Sequence, residues 1–156
     1  MSNMQRIKPG HAALRRGRSS VPRQVYLVTF TTADRASHFS DDEAAMAASR
    51  AIEDPRLWTH SSLEAWVLMP DHWHGLIALG DEELSTVVQK LKTNVARRVR
   101  EARPDISKVW AIGFHDHALR AEEAVVDSAR YLIRNPVERG LVRRIGDYPY
   151  WNAVWI

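Results

Sequence analysis

The sequence of 156 residues contains no cysteine. That absence excludes a disulfide scaffold, a thiolate zinc site, an iron–sulfur cluster and a cysteine nucleophile. No apolar run approaches the roughly 20 residues that a membrane-spanning helix requires. The N-terminus is positively charged but no apolar segment follows it, so no secretory signal is expected. The expectation is a soluble, cytoplasmic chain with no membrane partner. With 45% hydrophobic and 26% charged residues, the length suits one globular domain that buries its core without covalent staples.

Acidic residues are also missing from one region. Residues 1–23 hold Arg6, Lys8, Arg15, Arg16, Arg18 and Arg23 and no Asp or Glu, while the rest of the chain carries 16 basic against 19 acidic residues. The formal net charge of +3 therefore hides an asymmetric division: a basic arm over 1–23 and a single domain over 24–156. A basic arm on a near-neutral body is attracted to polyanions, nucleic acid first among them, and also fits a solubilising tail.

Gln24 to Thr32 is rich in β-branched and aromatic residues and predicts a first strand. Ser40-Asp41-Asp42-Glu43 is a helix-start signal, followed by alanines up to Asp54-Pro55. Leu63 to Met69 and Trp73 to Leu79 predict two strands of a hairpin turning at Pro70-Asp71. Leu84, Val87, Val88, Leu91, Val95 and Val99 form one stripe of a helix over 82–100. Val109 to Leu119 predicts a fourth strand. A third helix is expected from about Ala121 to Arg134, ending before Asn135-Pro136. The order β, α, β, β, α, β, α predicts an α+β, ferredoxin-like (RRM-like) sandwich, a mostly antiparallel sheet with helices on one face.

Two His-x-His pairs, His72-Trp73-His74 and His115-Asp116-His117, are candidate chemistry. On a strand, residues i and i+2 share a face, so each pair presents two imidazoles together, with Trp73 turned the other way. Neutral imidazoles bind divalent metals well; two half-exposed histidines at a strand edge fit the same pattern. Tyr131 and Asn135 are four apart and share a helix face. A phenol is a weak nucleophile unless a cation or base favours its ionised form, and an Asn carbonyl can be a ligand. A tyrosine packed on the sheet and an Asn capping the helix fit equally.

Together these strings resemble a family. Met69-Pro70-Asp71-His72-Trp73-His74 is similar to the histidine–hydrophobe–histidine motif of single-tyrosine HUH transposases, and Tyr131-Leu132-Ile133-Arg134-Asn135-Pro136-Val137 resembles their tyrosine helix. Leu14-Arg15-Arg16-Gly17-Arg18, Gly113 to Arg120, Glu138 to Val142 and Asp147 to Trp151 add matches in the order seen in REP-associated tyrosine transposases. The resemblance runs from about residue 12 to the end. It implies a Mg²⁺- or Mn²⁺-dependent enzyme that cleaves and joins single-stranded DNA at or near a hairpin, through a 5′-phosphotyrosine. His72, His74 and Asn135 are the implied metal ligands and Tyr131 the nucleophile. Arg15, Arg16, Arg18 and Arg23 of the arm and Lys90, Lys92, Arg97 and Arg98 of the second helix are candidate DNA contacts. Asp116, His117 and Arg120 are candidate structural or DNA-contacting residues, with support of the metal site as the sharper alternative. A monomer is expected in preference to a homodimer, together with a bacterial host and a place at the nucleoid. The competing readings are a binding module on the same fold without catalysis, and an unrelated metal hydrolase for which Tyr131 is dispensable.

Overall fold

The computed structural model describes residues 24–155; the basic arm, with Arg15, Arg16, Arg18 and Arg23, lies outside them. Five strands form one antiparallel sheet: β1 (Val25–Thr31), β2 (Ser62–Met69), β3 (His72–Ala78), β4 (His115–Leu119) and β5 (Trp151–Ala153), in the order β4-β1-β3-β2-β5. Three helices complete the α+β sandwich: α1 (Asp42–Ile52), α2 (Leu84–Ala102) and α3 (Glu122–Glu138). None of the described helices is long and apolar enough to cross a membrane.

Each of the two sheet faces has its own residues because the side chains alternate along β3. Trp73 is fully buried and stacks on Phe30 of β1, with ring centroids 4.9 Å apart and planes 20° from parallel. Trp110 meets the same Phe30 edge-on at 4.7 Å. The Trp73 indole lies along the strand, so a Cβ at Gly75 would sit 2.0 Å from Trp73 Cη2; only glycine fits beneath it. α1 and α2 cover this face. Trp66 Nε1 of β2, opposite Gly75, donates to Glu53 just past α1, and Asn94 of α2 donates to Ala51 O of α1. α3 lies across the other face, over β2 and β3, where His72 and His74 point.

Within the helix-start signal it is Asp41 that caps α1, its carboxylate accepting from Ala44 N at 2.9 Å. The strand expected from Val109 begins only at His115. Val109 and Ala111 keep backbone bonds to Ala33 and Thr31 around one isolated Thr32–Trp110 bridge, and the regular pairing is interrupted at 112–114, where Gly113 has φ +87°. Two carbonyls at this interruption, of Ala111 and Gly113, accept from Lys92 Nζ at 2.8 Å each. β5, which no periodicity announces in three residues, extends the sheet beside β2.

The third helix does not stop before Pro136; it runs to Glu138 with Pro136 inside. Proline removes a donor four residues from its partner carbonyl, yet the last turn closes well. Gly140 N donates to Val137 O and Leu141 N to Pro136 O, with Gly140 at φ +74°. This is the Schellman pattern, in which a left-handed glycine ends the helix and satisfies its last carbonyls. Asn135 is therefore within the helix and not its cap.

Candidate active site

β3 brings His72 and His74 to one face with ring centroids 4.4 Å apart. Their Nδ1 atoms are both engaged away from the open side. His72 Nδ1 donates to Asp71 Oδ1 at 2.7 Å, and His74 Nδ1 lies 2.7 Å from Thr29 Oγ1. Thr29 stands directly opposite His74 in the β1–β3 register. With Nδ1 as the donor in each ring, the Nε2 lone pair is the one left to bind a ligand.

Burial pushes the His74 imidazole down to about 3, helped by the neighbouring His72, Arg139 and Arg35. Burial lowers His72 as well, against an opposing pull from Asp71. Asp71 is held below the usual carboxylate value: burial raises it, but the hydrogen bond from His72 and the charge and hydrogen bond of Arg35 prevail. The arrangement is an ionised carboxylate beside two neutral imidazoles. Arg35 completes it, its Nε and a terminal nitrogen lying 3.2 and 3.1 Å from Asp71 Oδ2.

Arg35 is presented by an unusual turn. Asp34 and Arg35 have φ of 56° and 55°, in the left-handed region that non-glycine residues seldom enter. The turn is pinned by the buried Thr32, whose hydroxyl donates to Ala36 O and Asp71 O and whose backbone N–H donates to Asp71 O.

From the other side, α3 supplies Tyr131, Asn135, Glu138 and Arg139, which line a cleft of about 410 Å³ together with Thr29, Arg35, His72 and His74. Tyr131 is 55% exposed and Asn135 is 7% exposed. The structure thus gathers His72, His74, Tyr131 and Asn135 from segments some sixty positions apart in the chain.

The donor set fits a divalent cation. Two neutral imidazoles converge, and among the described residues no three His, Cys, Asp or Glu side chains could hold a metal. The buried Asn135 lines the same cleft, and its amide oxygen is a donor of the kind that hard divalent cations take.

The other candidates are placed elsewhere. Lys90 pairs with Glu82 at 3.2 Å, and Arg97 with Asn94 at 2.8 Å and with Glu101 at 3.8 Å. Lys92 is engaged with the 111–113 carbonyls and lies 5.4 Å from the centroid of Phe30. Arg98 shares α2 with them, on the far side of the sheet from the cleft. In β4, Asp116 pairs with Val28 and His117 with Leu27. His117 therefore faces the cleft side and Asp116 the opposite one, whereas His115 stands opposite Thr29, in the same row as His74. Arg120 follows the strand and is exposed.

Thr29, Arg35, Glu138 and Arg139 escape a reading of the sequence as site residues. For Glu138 and Arg139 the signal was helical spacing from Tyr131, masked by the proline. For Thr29 only the strand register could reveal it.

Residues 20–130 match the sequence profile of the family described as Transposase IS200 like. The match contains both cleft histidines and stops one residue before Tyr131. A REP-associated tyrosine transposase of Escherichia coli (strain K12) is 27% identical over 90 residues, covering 56% of this chain and 52% of that protein. The chain spans about half the length of the curated relatives it matches. A solved structure of a REP-associated tyrosine transposase bound to a REP hairpin has the same fold, with a TM-score of 0.66 and 22% identity, over 86% of this chain and 79% of that one. A bacterial tRNA(His) guanylyltransferase-like protein in complex with ATP also shares it, with a TM-score of 0.51 and 13% identity, over 87% of this chain and 70% of that one. One sheet architecture serves different chemistries, so the side chains of the cleft must carry the functional argument.

Proposed function

Because the chain belongs to the IS200-like transposase family, we propose that it cleaves and rejoins single-stranded DNA at hairpin-forming sequences of the REP type, with Tyr131 as the nucleophile. The observation that supports this most is the meeting of a half-exposed tyrosine with two imidazoles whose Nδ1 atoms are held back by Asp71 and Thr29.

In this reading Tyr131 Oη attacks the scissile phosphorus as its proton leaves to solvent, which reaches the exposed ring. The new bond joins Oη to phosphorus and the bond to the 3′ oxygen breaks. The DNA is left as a 5′-phosphotyrosine and a free 3′-hydroxyl. Attack of another strand's 3′-hydroxyl on the same phosphorus releases Tyr131 and joins the strands. One phosphodiester is exchanged for another, so no external energy source is required. His72, His74 and Asn135 would hold Mg²⁺ or Mn²⁺, whose positive charge supplies stabilisation for charge building on the phosphate oxygens. The exposed Arg139 at the cleft offers a second, permanent charge for the phosphodiester. Tyr131 and the His pair of one chain line the same cleft, so one chain suffices for the site and the protein acts as a monomer.

The test is incubation with a labelled hairpin oligonucleotide drawn from repeats of the host genome, with Mg²⁺ or Mn²⁺. The expected result is a covalent adduct that survives denaturation and is absent from Tyr131→Phe. An adduct that persists in Tyr131→Phe, or cleavage with no adduct, would sink the assignment. Binding without cleavage would point to the non-catalytic module. Restored activity on mixing His74→Ala with Tyr131→Phe would overturn the single-chain site.

A further inference from the structure

The turn that carries Arg35 is not explained by the stability of the contacts it makes. Asp34 and Arg35 take φ of 56° and 55° in succession, a conformation that disfavours any residue with a Cβ. The ion pair made possible by this turn lies towards solvent, the Arg35 side chain being 56% and that of Asp71 24% exposed. Pairs so exposed add little to stability. The turn is held by its surroundings instead. Thr32 is fully buried, its backbone N–H donates to Asp71 O at 2.9 Å, and its hydroxyl lies 2.7 Å from Ala36 O and 3.1 Å from Asp71 O. A left-handed turn maintained at a cleft, for a pair that stabilises little, marks a functional position.

What the turn fixes is a guanidinium. Arg35 Nε and one terminal nitrogen meet Asp71 Oδ2 at 3.2 and 3.1 Å. The other terminal nitrogen has no partner among the described residues. A guanidinium presents five N–H groups in a planar fork, so this one is only partly used. The other carboxylate oxygen of Asp71, Oδ1, lies 2.7 Å from His72 Nδ1. One carboxylate therefore holds both the imidazole and the guanidinium and sets how far apart they stand. Arg35 lines the cleft together with His72, His74, Tyr131 and Asn135, and its charge is felt at both imidazoles. Arg139 stands at the end of α3, the helix of Tyr131, whereas Arg35 is tied to the β2–β3 turn beside the histidines. A planar fork of donors matches the oxygens of a phosphate.

We infer that Arg35 is a catalytic residue whose guanidinium contacts a non-bridging oxygen of the phosphate that Tyr131 attacks, with Asp71 holding it in place beside His72. This rests on the strand-cleaving reading for the identity of the substrate. No bond to Arg35 forms or breaks; the guanidinium stays protonated and offsets the charge that grows on the phosphate oxygens as Tyr131 Oη approaches. Its donors are fixed before DNA arrives, so little reorganisation accompanies the step.

The test compares the wild-type chain with Arg35→Gln in single-turnover adduct formation, at saturating hairpin oligonucleotide and Mn²⁺. The variant should form the adduct about a hundredfold more slowly. Its Kd for the same hairpin in EDTA should rise by no more than about fivefold near 0.1 M salt, the contribution of one single-strand phosphate contact. Mn²⁺ affinity without DNA, read by calorimetry, should be equal or higher, because a cation leaves the neighbourhood of the imidazoles. A role confined to propping Asp71 and His72 gives the reverse, Mn²⁺ affinity about tenfold weaker. Arg35→Gly suits the left-handed backbone, so it should melt no lower than the wild type and still react as slowly as Arg35→Gln. Adduct formation at the wild-type rate in Arg35→Gln overturns the assignment, as does a slow rate accompanied by weakened Mn²⁺ binding. Absence of any adduct from the wild-type chain instead removes the strand-cleaving reading, and the role of Arg35 falls with it.

Discussion

The two faces of β3 differ in almost every respect although they alternate within seven residues. Trp73 and Ile77 face a dry layer under α1 and α2, where Gly75 leaves room for an indole lying flat. His72 and His74 face Thr29, Asp71 and the polar side of α3. The comparison teaches that stability and chemistry are assigned to opposite sides of the same strand. Substitutions one residue apart should therefore fail in different ways.

The largest expected effect is on the apolar side. Trp73→Ala should cost about 3–5 kcal/mol of stability, by loss of buried area and a cavity beneath α2. Its neighbour His74→Ala should cost no more than about 1 kcal/mol, one buried hydrogen bond, while adduct formation disappears. Urea titration of both proteins checks the contrast, and equal destabilisation would erase the distinction between the faces.

Next, the cleft side can be weakened without emptying it. Thr29→Val keeps the shape but leaves His74 Nδ1 without its partner. Mn²⁺ affinity should fall about tenfold, or about 1.4 kcal/mol, as read by calorimetry in the absence of DNA; Thr29→Ser should restore it. An unchanged affinity would mean that the Thr29 hydrogen bond does not orient the ring.

A smaller effect is expected where α3 ends. Gly140→Ala forces a left-handed backbone on a residue with a Cβ and should cost about 1 kcal/mol. Nothing lies within 4 Å of that Cβ, so conformation is the sole cause. Thermal melting checks this, and a neutral result would show that the helix end relaxes freely.

The smallest effect concerns the edge beside β5. The Tyr150 phenol is pushed up to about 12, first by burial and then by its hydrogen bond to Asp42 at 2.6 Å. Tyr148, which donates to Leu68 O, is raised by burial too. The folded phenols keep their protons to higher pH than unfolded ones near 10. Unfolding therefore releases protons in this range, so stability is complete below about pH 10 and declines as pH rises through about 12. Tyr150→Phe should flatten part of that decline in denaturant titrations between pH 9 and roughly 12. An identical slope in the variant would remove Tyr150 from the account.

Local pattern reveals β1, the hairpin, α1, α2 and the paired histidines, because alternation and helical spacing act over a few residues. Features set by distant partners stay hidden. Thr29 becomes a site residue only through a strand pairing 45 positions away. The segment 109–114 has strand composition, but after Ala111 the left-handed conformation of Gly113 interrupts its pairing with β1 until His115. Pro136 carries the strongest local stop signal in the chain, and a glycine four residues later overrides it by closing the final turn. With that turn in place, Glu138 and Arg139 reach the cleft.

The exposure of Tyr131 has a consequence for how such a protein changes over generations. The His72 ring is buried in the sheet and bound to Asp71, so bulky or charged replacements there disturb packing as well as chemistry. Tyr131 is more than half open to solvent, and its replacement leaves the fold almost untouched. Descent without selection for cleavage would therefore erase the tyrosine first. A lineage could pass from enzyme to DNA-holding protein in one step, with its cleft and sheet intact.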